Sequence, residues 1–312
     1  MTKIESVHKT VLLNETIDGL NLPRSKALGD SKSLASGQVV LDVTFGGGGH
    51  SREILKRFPK VKVIALDQDQ SVWDGNEKRI SFHNENFRDL DKVLGSEKVD
   101  GIIFDLGLSS DQLENSGRGF SFLKDEPLLM TMKKNPGEED LTAGEIVNTW
   151  EEKNLADIIY GYGEERFSRR IAKGIVEARA KAEIKTTTDL VKIISDSVPA
   201  AYRRARLHFA TRTFQALRIA VNDELRSLQT GLQKGFEALK EGGRMSVITF
   251  HSLEDRIVKK YFQALASPVG SGPREQEGKA TLINKKPILE NEENLKKNPR
   301  ARSAKLRILE KI

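Results

Sequence analysis

The chain has 312 residues, of which 38% are hydrophobic and 31% are charged. This balance is typical of a globular protein, and the length suits one large domain accompanied by a smaller one. No apolar run approaches the roughly 20 residues that a membrane-spanning helix needs, and no signal peptide is visible. The absence of cysteine excludes disulfides and thiolate metal sites, and it agrees with the cytoplasmic location that we expect.

The formal net charge is only +6, but the basic residues are unevenly distributed along the chain. They concentrate in segments 166–173, 203–218 and 285–307. Clustered positive charge favours a polyanionic partner, whereas a solvated basic surface would explain the net charge alone.

The first third of the chain alternates short apolar segments with helical patterns. We predict strands at Val39–Val43, Val61–Leu66, Arg79–His83 and Val99–Phe104. Short apolar strands separated by helices indicate an α/β fold, with a parallel sheet covered by helices on both faces.

The pattern changes between about residue 118 and about residue 199, where the sequence predicts no strand. Amphipathic helices are predicted at Leu141–Trp150, Leu155–Tyr160, Arg166–Ala182 and Thr188–Val198. The segment Thr186–Asp189 supplies an N-cap for the last of them. The simplest explanation is a helical insertion between the fourth and fifth strands of the α/β domain.

After the insertion, the sequence predicts one long helix over Thr211–Lys240, stopped by the pair Gly242–Gly243. A buried strand follows at Arg244–Phe250, and Ser267–Gly278 has the composition of a loop. Ser303–Leu309 alternates polar and apolar residues, as an edge strand or an antiparallel strand does.

Four consecutive glycines, Gly46–Gly49, separate the first strand from the helix that follows it. Glycine lacks a Cβ, so this backbone can turn sharply and approach a ligand closely. A strand, a glycine loop and a helix N-terminus in succession are typical of a nucleotide-cofactor site.

The residues after the glycines narrow the choice of nucleotide. A Walker loop requires a lysine after its last glycine, but His50 and Ser51 follow here, which argues against ATP hydrolysis. The dinucleotide pattern would need a glycine in place of Ser51, so that pattern is broken. The third possibility is S-adenosylmethionine, which carries no phosphate and needs only close approach of the backbone.

Two aspartates follow strands of the predicted sheet. Asp67 ends the second strand, where a carboxylate can accept hydrogen bonds from both ribose hydroxyls. NAD-binding folds and methyltransferase folds share this arrangement. Asp105 ends the fourth strand and precedes a small, polar turn, where a methyltransferase would hold its acceptor group. Alternatively, Asp105 caps the next helix.

Several segments of the chain together closely resemble one family. They are His8–Leu13, Thr44–Ser51, Asp67–Asp69, Asp105–Ser110 with Gln112–Leu113, Arg118–Phe122, Tyr162–Arg166, Thr211–Asn222, Phe250–Arg256 and Asn298–Lys305. The family is the bacterial small-subunit ribosomal RNA cytosine-N4 methyltransferases, called RsmH or MraW. The resemblance runs from near residue 8 to near residue 309. One departure is an extra small and polar segment, Ser25–Ser36, which we interpret as a surface loop.

The resemblance implies an S-adenosylmethionine-dependent enzyme that methylates the exocyclic N4 of a decoding-centre cytosine in 16S rRNA. The partner would be that RNA, within the small ribosomal subunit or its precursor, with no membrane involved. The oligomeric state is not specified. The resemblance also implies a Rossmann-like class I methyltransferase core at residues 1–117 and 211–312, interrupted by an all-helical substrate-recognition domain at residues 118–210.

The cofactor contacts of the family carry over to positions that all hold a suitable residue. They are Gly48, Gly49 and His50 in the glycine loop, Asp67, Phe87 after the third strand, Asp105 and Gln112. For His50, a role in the cofactor loop is favoured over a role in catalysis.

We predict Asp105 and Ser109 as the catalytic residues. A sulfonium methyl group is already activated, so alignment of the acceptor nitrogen accounts for most of the catalysis. Acceptors near Asp105 and Ser109 would hold the amino hydrogens of cytosine and receive the leaving proton. Asp105 is also a cofactor contact, so a purely positional role stays open.

Other residues keep two interpretations each. Phe120 and Phe122 either stack on the target base or belong to the core of the insertion. His251 either lies near the acceptor site or precedes a capping box formed by Ser252 and Asp255.

Two arginines of the predicted long helix are also ambiguous. Arg212 and Arg218 either face RNA or tie the insertion to the core. His8, His83 and His208 with the nearby carboxylates show no metal-ligand spacing, so we predict no essential metal.

Two other functions stay open at this point. The glycine loop with Asp67 also suits an NAD-dependent oxidoreductase, and the fold also suits a non-catalytic RNA-binding or assembly factor. Stabilisation of the protein by S-adenosylhomocysteine but not by NAD would separate the methyltransferase from the oxidoreductase.

Overall fold

The structure is a computed structural model that describes residues 10–22, 37–73, 75–268 and 278–312. The predicted loop at Ser25–Ser36 and most of the predicted loop at Ser267–Gly278 lie outside these residues. The described chain divides into two compact units, one drawn from Met1–Gly107 with Leu225–Ile312 and the other formed by Leu108–Glu224. Among the described helices, none combines the length and the apolar character required to cross a lipid bilayer.

Within the described residues, seven strands of the first unit form one sheet. In chain order they are β1 (Val39–Asp42), β2 (Lys62–Leu66), β3 (Ile80–His83), β4 (Val99–Asp105), β5 (Leu239–Thr249), β6 (Ala280–Leu282) and β7 (Lys305–Lys311). Their spatial order is β3-β2-β1-β4-β5-β7-β6. The pairs among β1 to β5 are parallel, which confirms the predicted parallel sheet. β7 is antiparallel to both of its neighbours and lies inside the sheet rather than at its edge.

The α-helices cover this sheet and build the second unit. In chain order they are α1 (Leu13–Gly19), α2 (Gly49–Arg57), α3 (Leu90–Leu94), α4 (Ser110–Glu114), α5 (Ala143–Thr149), α6 (Glu152–Gly161), α7 (Ser168–Arg179), α8 (Thr187–Ser197), α9 (Ala200–Arg203), α10 (Thr211–Asn222), α11 (Glu224–Ala238), α12 (Ser252–Ala266) and α13 (Glu292–Lys297). Short 3₁₀ turns lie at Gln70–Val72, Phe87–Asp89 and Pro299–Ser303.

The order of the strands reverses between β1 and β4. From β1 the chain adds β2 and β3 on one side, whereas β4 and β5 lie on the other. Ligands of open α/β sheets bind at such a switch point.

The two faces of the sheet are covered by different helices because successive strand residues point in opposite directions. Val40 of β1 packs in a cluster with Ile54 of α2. Its neighbour Leu41 packs in a separate cluster with Leu232 of α11. All four side chains are fully buried, and burial of each contributes roughly 1.5–3 kcal/mol. This packing holds the carboxyl ends of the strands in fixed positions.

The second unit is helical and has its own core, as an insertion would. Its buried residues include Ile146 of α5, Ile159 of α6, Ile171 of α7, Ile194 of α8 and Leu217 of α10. The predicted boundaries were 118–210, whereas this unit spans Leu108–Glu224, because apolar residues of α4 and α10 pack in the same core.

The predicted N-cap of α8 is confirmed. The Thr186 hydroxyl accepts the Asp189 N–H, and the Asp189 carboxylate accepts the Thr186 N–H. Such a capping box satisfies two backbone donors that the first turn of a helix leaves without partners.

The prediction of one long helix over Thr211–Lys240 is wrong. The chain forms α10 and α11, and between them Asp223 adopts a left-handed conformation with φ 49°. The next strand was also placed too late, because β5 begins at Leu239 and not at Arg244. Gly242 lies inside β5 with φ 74°, near a shift in the pairing with β4. A glycine that was interpreted as a helix stop therefore marks an irregularity in a strand.

Candidate active site

The glycine loop leaves β1 and turns back sharply before α2. The Phe45 N–H donates to the Leu66 carbonyl at 2.9 Å, and the Gly48 N–H donates to the Phe45 carbonyl at 2.7 Å. Gly48 adopts φ 69°, which L side chains rarely adopt, and a Cβ there would lie 2.6 Å from the Phe45 ring. A Cβ at Gly49 would collide with Thr10 Oγ1. Both predicted loop positions therefore require glycine in this conformation.

Asp67 connects the end of β2 to the glycine loop. Its Oδ2 accepts the Gly46 N–H at 2.8 Å, and its Oδ1 accepts the Asp69 N–H at 2.9 Å. An ionised carboxylate offers about four acceptor positions. Asp67 can therefore hold the loop and accept ribose hydroxyls at the same time.

Asp42 is a third carboxyl at the ends of adjacent strands, and the sequence analysis missed it. It is 1% exposed, and its Oδ2 accepts the Ser51 hydroxyl at 2.5 Å. Burial raises the pKa of Asp42 to about 6, and the charge of Asp67 acts in the same direction. The available signal was that β1, β2 and β4 each end at or just before an aspartate, although apolar residues fill most of these strands.

Asp105 ends β4 in a half-buried position. Its N–H donates to Thr44 Oγ1 at 2.6 Å, and its Oδ2 lies 3.6 Å from His50 Nδ1. Its Oδ1 is buried and has no hydrogen-bond partner among the described residues. Burial, followed by the charges of Asp42 and Glu254, raises the pKa of Asp105 to about 8.

This environment holds the pKa of Asp105 far above the usual range of a carboxyl group. Near neutral pH it retains its proton in the free protein, and a cation placed beside it would favour the ionised form. His50, which is 4% exposed on the first turn of α2, contacts the same carboxyl. The glycine loop and the end of β4 thus meet through this pair.

Ser109 and Gln112 belong to the helical unit and fix one another at the start of α4. The Ser109 hydroxyl accepts the Gln112 N–H at 3.1 Å, and Gln112 Oε1 accepts the Ser109 N–H at 3.0 Å. Because Ser109 is the N-cap of α4, the alternative that Asp105 caps this helix is wrong. The catalytic role of Ser109 and the cofactor contact of Gln112 stay predictions.

Phe87 lies in the 3₁₀ turn after β3. Its ring packs edge-to-face on Phe104 of β4, with ring centroids 5.8 Å apart, and it is half-buried. A Cβ at Gly231 of α11 would lie 2.7 Å from this ring. The core therefore fixes the orientation of Phe87, and its predicted contact with the cofactor stays a prediction.

Phe120 and Phe122 occupy different environments in the helical unit. Phe120 is 7% exposed in the core, with the Arg118 guanidinium 5.4 Å from its ring centroid. Phe122 stacks on His208 with centroids 4.3 Å apart and packs edge-to-face on Phe214. These contacts support the core interpretation for Phe120, whereas stacking of Phe122 on a base stays a prediction.

His251 is the N-cap of α12, one residue earlier than the predicted cap at Ser252. Its Nδ1 accepts the Glu254 N–H at 3.4 Å, and Glu254 Oε2 accepts the His251 N–H at 3.2 Å. The predicted partner, Asp255, instead forms an ion pair with Arg307 at 2.8 Å. The correction has a simple cause, since histidine is not among the usual N-cap residues.

Arg212 and Arg218 both make contacts within the helical unit. Arg218 forms a bidentate ion pair with Glu224, with both nitrogen–oxygen distances at 2.9 Å. Arg212 donates to the Glu164 carbonyl at 2.9 Å, which does not neutralise its charge. The charge of Arg218 is therefore neutralised by Glu224, whereas the positive charge of Arg212 can still attract an anionic ligand.

The arrangement fits a nucleoside that carries a positive charge. Glycine at positions 48 and 49 lets the loop pack closely against Phe45 and Thr10 and leaves its backbone there without side chains. Asp67 and Asp105, both predicted cofactor residues, end strands on either side of this loop. Carboxyls around a backbone cradle suit ribose hydroxyls and a sulfonium, whereas they would repel phosphates.

Comparison with known proteins gives full-length matches. The model of the MraW methylase family matches residues 5–312. The ribosomal RNA small subunit methyltransferase H of Clostridium botulinum is 44% identical over an alignment 326 residues long, which covers 99% of this chain and the whole of that protein. The protein of the same name from Carboxydothermus hydrogenoformans is 45% identical over an alignment 331 residues long, which covers 99% of both chains.

Solved structures give much weaker matches. An rRNA methylase from Streptococcus thermophilus matches with a TM-score of 0.41 and 11% identity, over 97% of this chain and 98% of that one. A Streptococcus mutans protein solved in complex with SAH matches with a TM-score of 0.43 and 11% identity, over 97% and 99% of the two chains.

Proposed function

The chain belongs to the MraW methylase family and is an S-adenosylmethionine-dependent methyltransferase, and we propose that its acceptor is the exocyclic N4 of a decoding-centre cytosine in 16S rRNA. The observation that carries this proposal is the 44% identity, over essentially the whole chain, to a protein named ribosomal RNA small subunit methyltransferase H. Because the chain belongs to a methylase family, the alternative function as an NAD-dependent oxidoreductase is wrong. The proposal includes the ribosomal subunit or its precursor as the substrate and the cytoplasm as the location.

The residues of the first unit bind and orient the cofactor. S-Adenosylmethionine supplies an activated methyl group on a sulfonium when it is bound. Gly48 and Gly49 allow the backbone to approach it, because glycine has no side chain and because a Cβ at either position would collide with Phe45 or Thr10 and change the shape of the loop. Asp67 accepts the ribose hydroxyls while it holds the loop through the Gly46 N–H. Fixed orientation is the main contribution of the protein, because the methyl group needs no further activation.

Asp105 is the residue best suited to receive the proton. During transfer, the N4–carbon bond forms, the carbon–sulfur bond breaks, and N4 must lose one hydrogen as a proton. The Asp105 Oδ1 atom has no hydrogen-bond partner among the described residues. Its raised pKa of about 8 leaves the carboxyl protonated in the free protein, so Asp105 accepts the proton once a cation bound beside it has favoured the ionised form. His50 Nδ1, which is 3.6 Å from Oδ2, orients the carboxyl.

A labelling experiment tests the proposal. Small ribosomal subunits from cells lacking the protein are incubated with purified protein and methyl-labelled S-adenosylmethionine, and the RNA is digested to nucleosides. We expect the label in N4-methylcytidine from one position, and no label with large subunits. Label in another nucleoside, or an unlabelled RNA with protein that binds S-adenosylhomocysteine, would contradict the proposed acceptor.

A further inference from the structure

Two of the segments that resemble the family have no role in the site described so far. They are Tyr162–Arg166 and Thr211–Asn222, and they pack together in the helical unit. Arg212 at the start of α10 donates to the carbonyl of Glu164, and the Gln215 side chain donates to the Tyr162 carbonyl at 2.9 Å. A Cβ at Gly163 would lie 2.5 Å from the Arg212 carbonyl oxygen. The turn between α6 and α7 is therefore fixed against α10.

The same turn rests on a buried polar anchor. Glu165 is fully buried, and its carboxylate accepts the Tyr202 hydroxyl at 2.5 Å and the Phe167 N–H at 2.8 Å. Burial and the Glu165 carboxylate raise the pKa of Tyr202, so the phenol keeps its proton and donates it. The rings of Phe167 and Tyr202 pack edge-to-face with centroids 4.9 Å apart. These two rings form a rigid aromatic base.

Exposed arginines lie on this base. The Arg166 guanidinium is 4.8 Å from the ring centroid of Phe167 and 5.1 Å from that of Tyr202, and Arg170 is 5.8 Å from Phe167. Stacking uses the face of a guanidinium and leaves the N–H groups at its edge available. These donors are thus held in place before any ligand arrives.

Hydrogen bonds to neutral oxygens fix two further arginines of the helical unit. Arg203, which follows Tyr202, donates to the carbonyl and hydroxyl oxygens of Ser195 at 3.1 and 3.3 Å, and Arg212 donates to the Glu164 carbonyl. We call Arg166, Arg170, Arg203 and Arg212 the arginine cluster.

The charge of the arginine cluster is not neutralised by the protein. Within the described parts of the chain, no member has a carboxylate at ion-pair distance, whereas three less exposed arginines do. Arg218 pairs with Glu224, Arg244 with Glu310 and Arg307 with Asp255. Positive charge that is fixed but not compensated favours a polyanion.

We propose that the arginine cluster binds the phosphate backbone of the substrate RNA outside the methyl-transfer site. This inference rests on the proposed function for the identity of the RNA. Arginine forks match phosphate oxygens in a bidentate manner, and bases of unpaired RNA can stack on neighbouring guanidinium planes. The cluster adds affinity and register, while the residues at the strand ends do the chemistry.

The test compares the double variant Arg166→Gln, Arg170→Gln with the wild type. Binding to small subunits from cells lacking the protein is measured across a salt series, together with kcat and KM for methyl transfer. We expect affinity to fall about tenfold at moderate salt, and the slope of log affinity against log salt to shrink by about 0.7 for each lost contact. KM for the subunit should rise, while kcat and the affinity for S-adenosylhomocysteine stay unchanged.

Two further variants serve as controls for this test. Arg166→Lys keeps the charge, so it should retain most of the salt slope even though it loses the stacked geometry. Lys185→Gln removes an exposed charge that pairs with Glu183 at 3.5 Å and should leave binding unchanged. A double variant with wild-type salt slope and KM would overturn the inference. A wild-type protein that binds the subunit but transfers no methyl group would instead contradict the proposed function and leave the cluster as an RNA site.

Discussion

The carboxylate of Asp67 accepts the backbone N–H of Gly46 at 2.8 Å. The residue after one strand therefore fixes the loop that follows the neighbouring strand. The same carboxylate is the predicted ribose acceptor, so the shape of the loop and the recognition of the cofactor depend on one side chain. This coupling has direct consequences for substitutions.

The variant Asp67→Ala should weaken the binding of S-adenosylhomocysteine by at least about 100-fold, which corresponds to about 2.8 kcal/mol. The loss combines the ribose hydrogen bonds with the released Gly46 N–H. Calorimetric titration measures the Kd. Asp91→Asn is the control, because Asp91 is 53% exposed and pairs with Lys234 on the surface. Equal Kd values for Asp67→Ala and the wild type would remove Asp67 from the site.

The variant Gly48→Ala should lose cofactor affinity by about tenfold or more, a change of about 1.4 kcal/mol. Gly75 provides a matched control, because it has φ 74° and no atom within 4 Å of an added Cβ, whereas Gly48 has φ 69° and faces the Phe45 ring. Both alanine variants should lose about 1–2 kcal/mol of stability from the left-handed backbone. Only Gly48→Ala should change the Kd. A similar Kd change in both variants would show that the cradle is not specific.

The variant Asp105→Asn should lower kcat by about 100-fold or more, since it removes the proton acceptor and keeps the size of the side chain. The Kd for S-adenosylhomocysteine should change by less than about tenfold. Single-turnover methyl transfer separates the chemical step from product release. A variant with wild-type kcat would show that Asp105 acts only as a positioning group.

Asp105 should also make stability depend on pH. Its pKa in the folded protein is raised to about 8 from an ordinary 3.8, so between these values the folded state holds a proton that the unfolded chain has lost. The contribution of Asp105 to stability therefore falls as the pH rises from about 4 to about 8. The Tm of Asp105→Asn relative to the wild type, measured without cofactor, should increase across this range. A Tm difference that is constant with pH would contradict the raised pKa.

His251 should tolerate asparagine better than alanine. His251→Ala removes the cap of α12 and should cost about 1 kcal/mol of stability, whereas asparagine is a strong N-cap residue. Denaturant unfolding and kcat are measured for both variants. With a capping role, His251→Asn keeps stability and turnover near the wild type. A stable His251→Asn protein with strongly reduced kcat would place His251 in catalysis.

The central sheet and the glycine loop could be predicted because their signals are local. Apolar runs such as Val39–Val43 and Val99–Phe104 define buried strands, and strand ends define where a ligand binds. Asp67 and Asp105 lie, as predicted, at the carboxyl ends of β2 and β4. The raised pKa of Asp42 could not be predicted in this way, because it depends on burial between two other strands.

The errors arose where tertiary contacts decide the local structure. The break between α10 and α11 occurs at Asp223, where neither glycine nor proline interrupts the apolar pattern. The cap of α12 is a histidine, whose role depends on Glu254 at the third position of the helix. The arginine cluster joins residues from α7, α9, α10 and the turn before α7, so charge counts along the sequence indicated a polyanion but not the surface that we propose for it.

A methylation map of small-subunit rRNA from cells with and without the gene tests the proposed activity most directly. We predict that deletion removes the N4 methyl group from one decoding-centre cytosine. Expression of the wild-type protein should restore it, and expression of Asp105→Asn should not. An unchanged methylation pattern after deletion would contradict the proposed activity and would leave the protein as an RNA-binding factor with a methyltransferase fold.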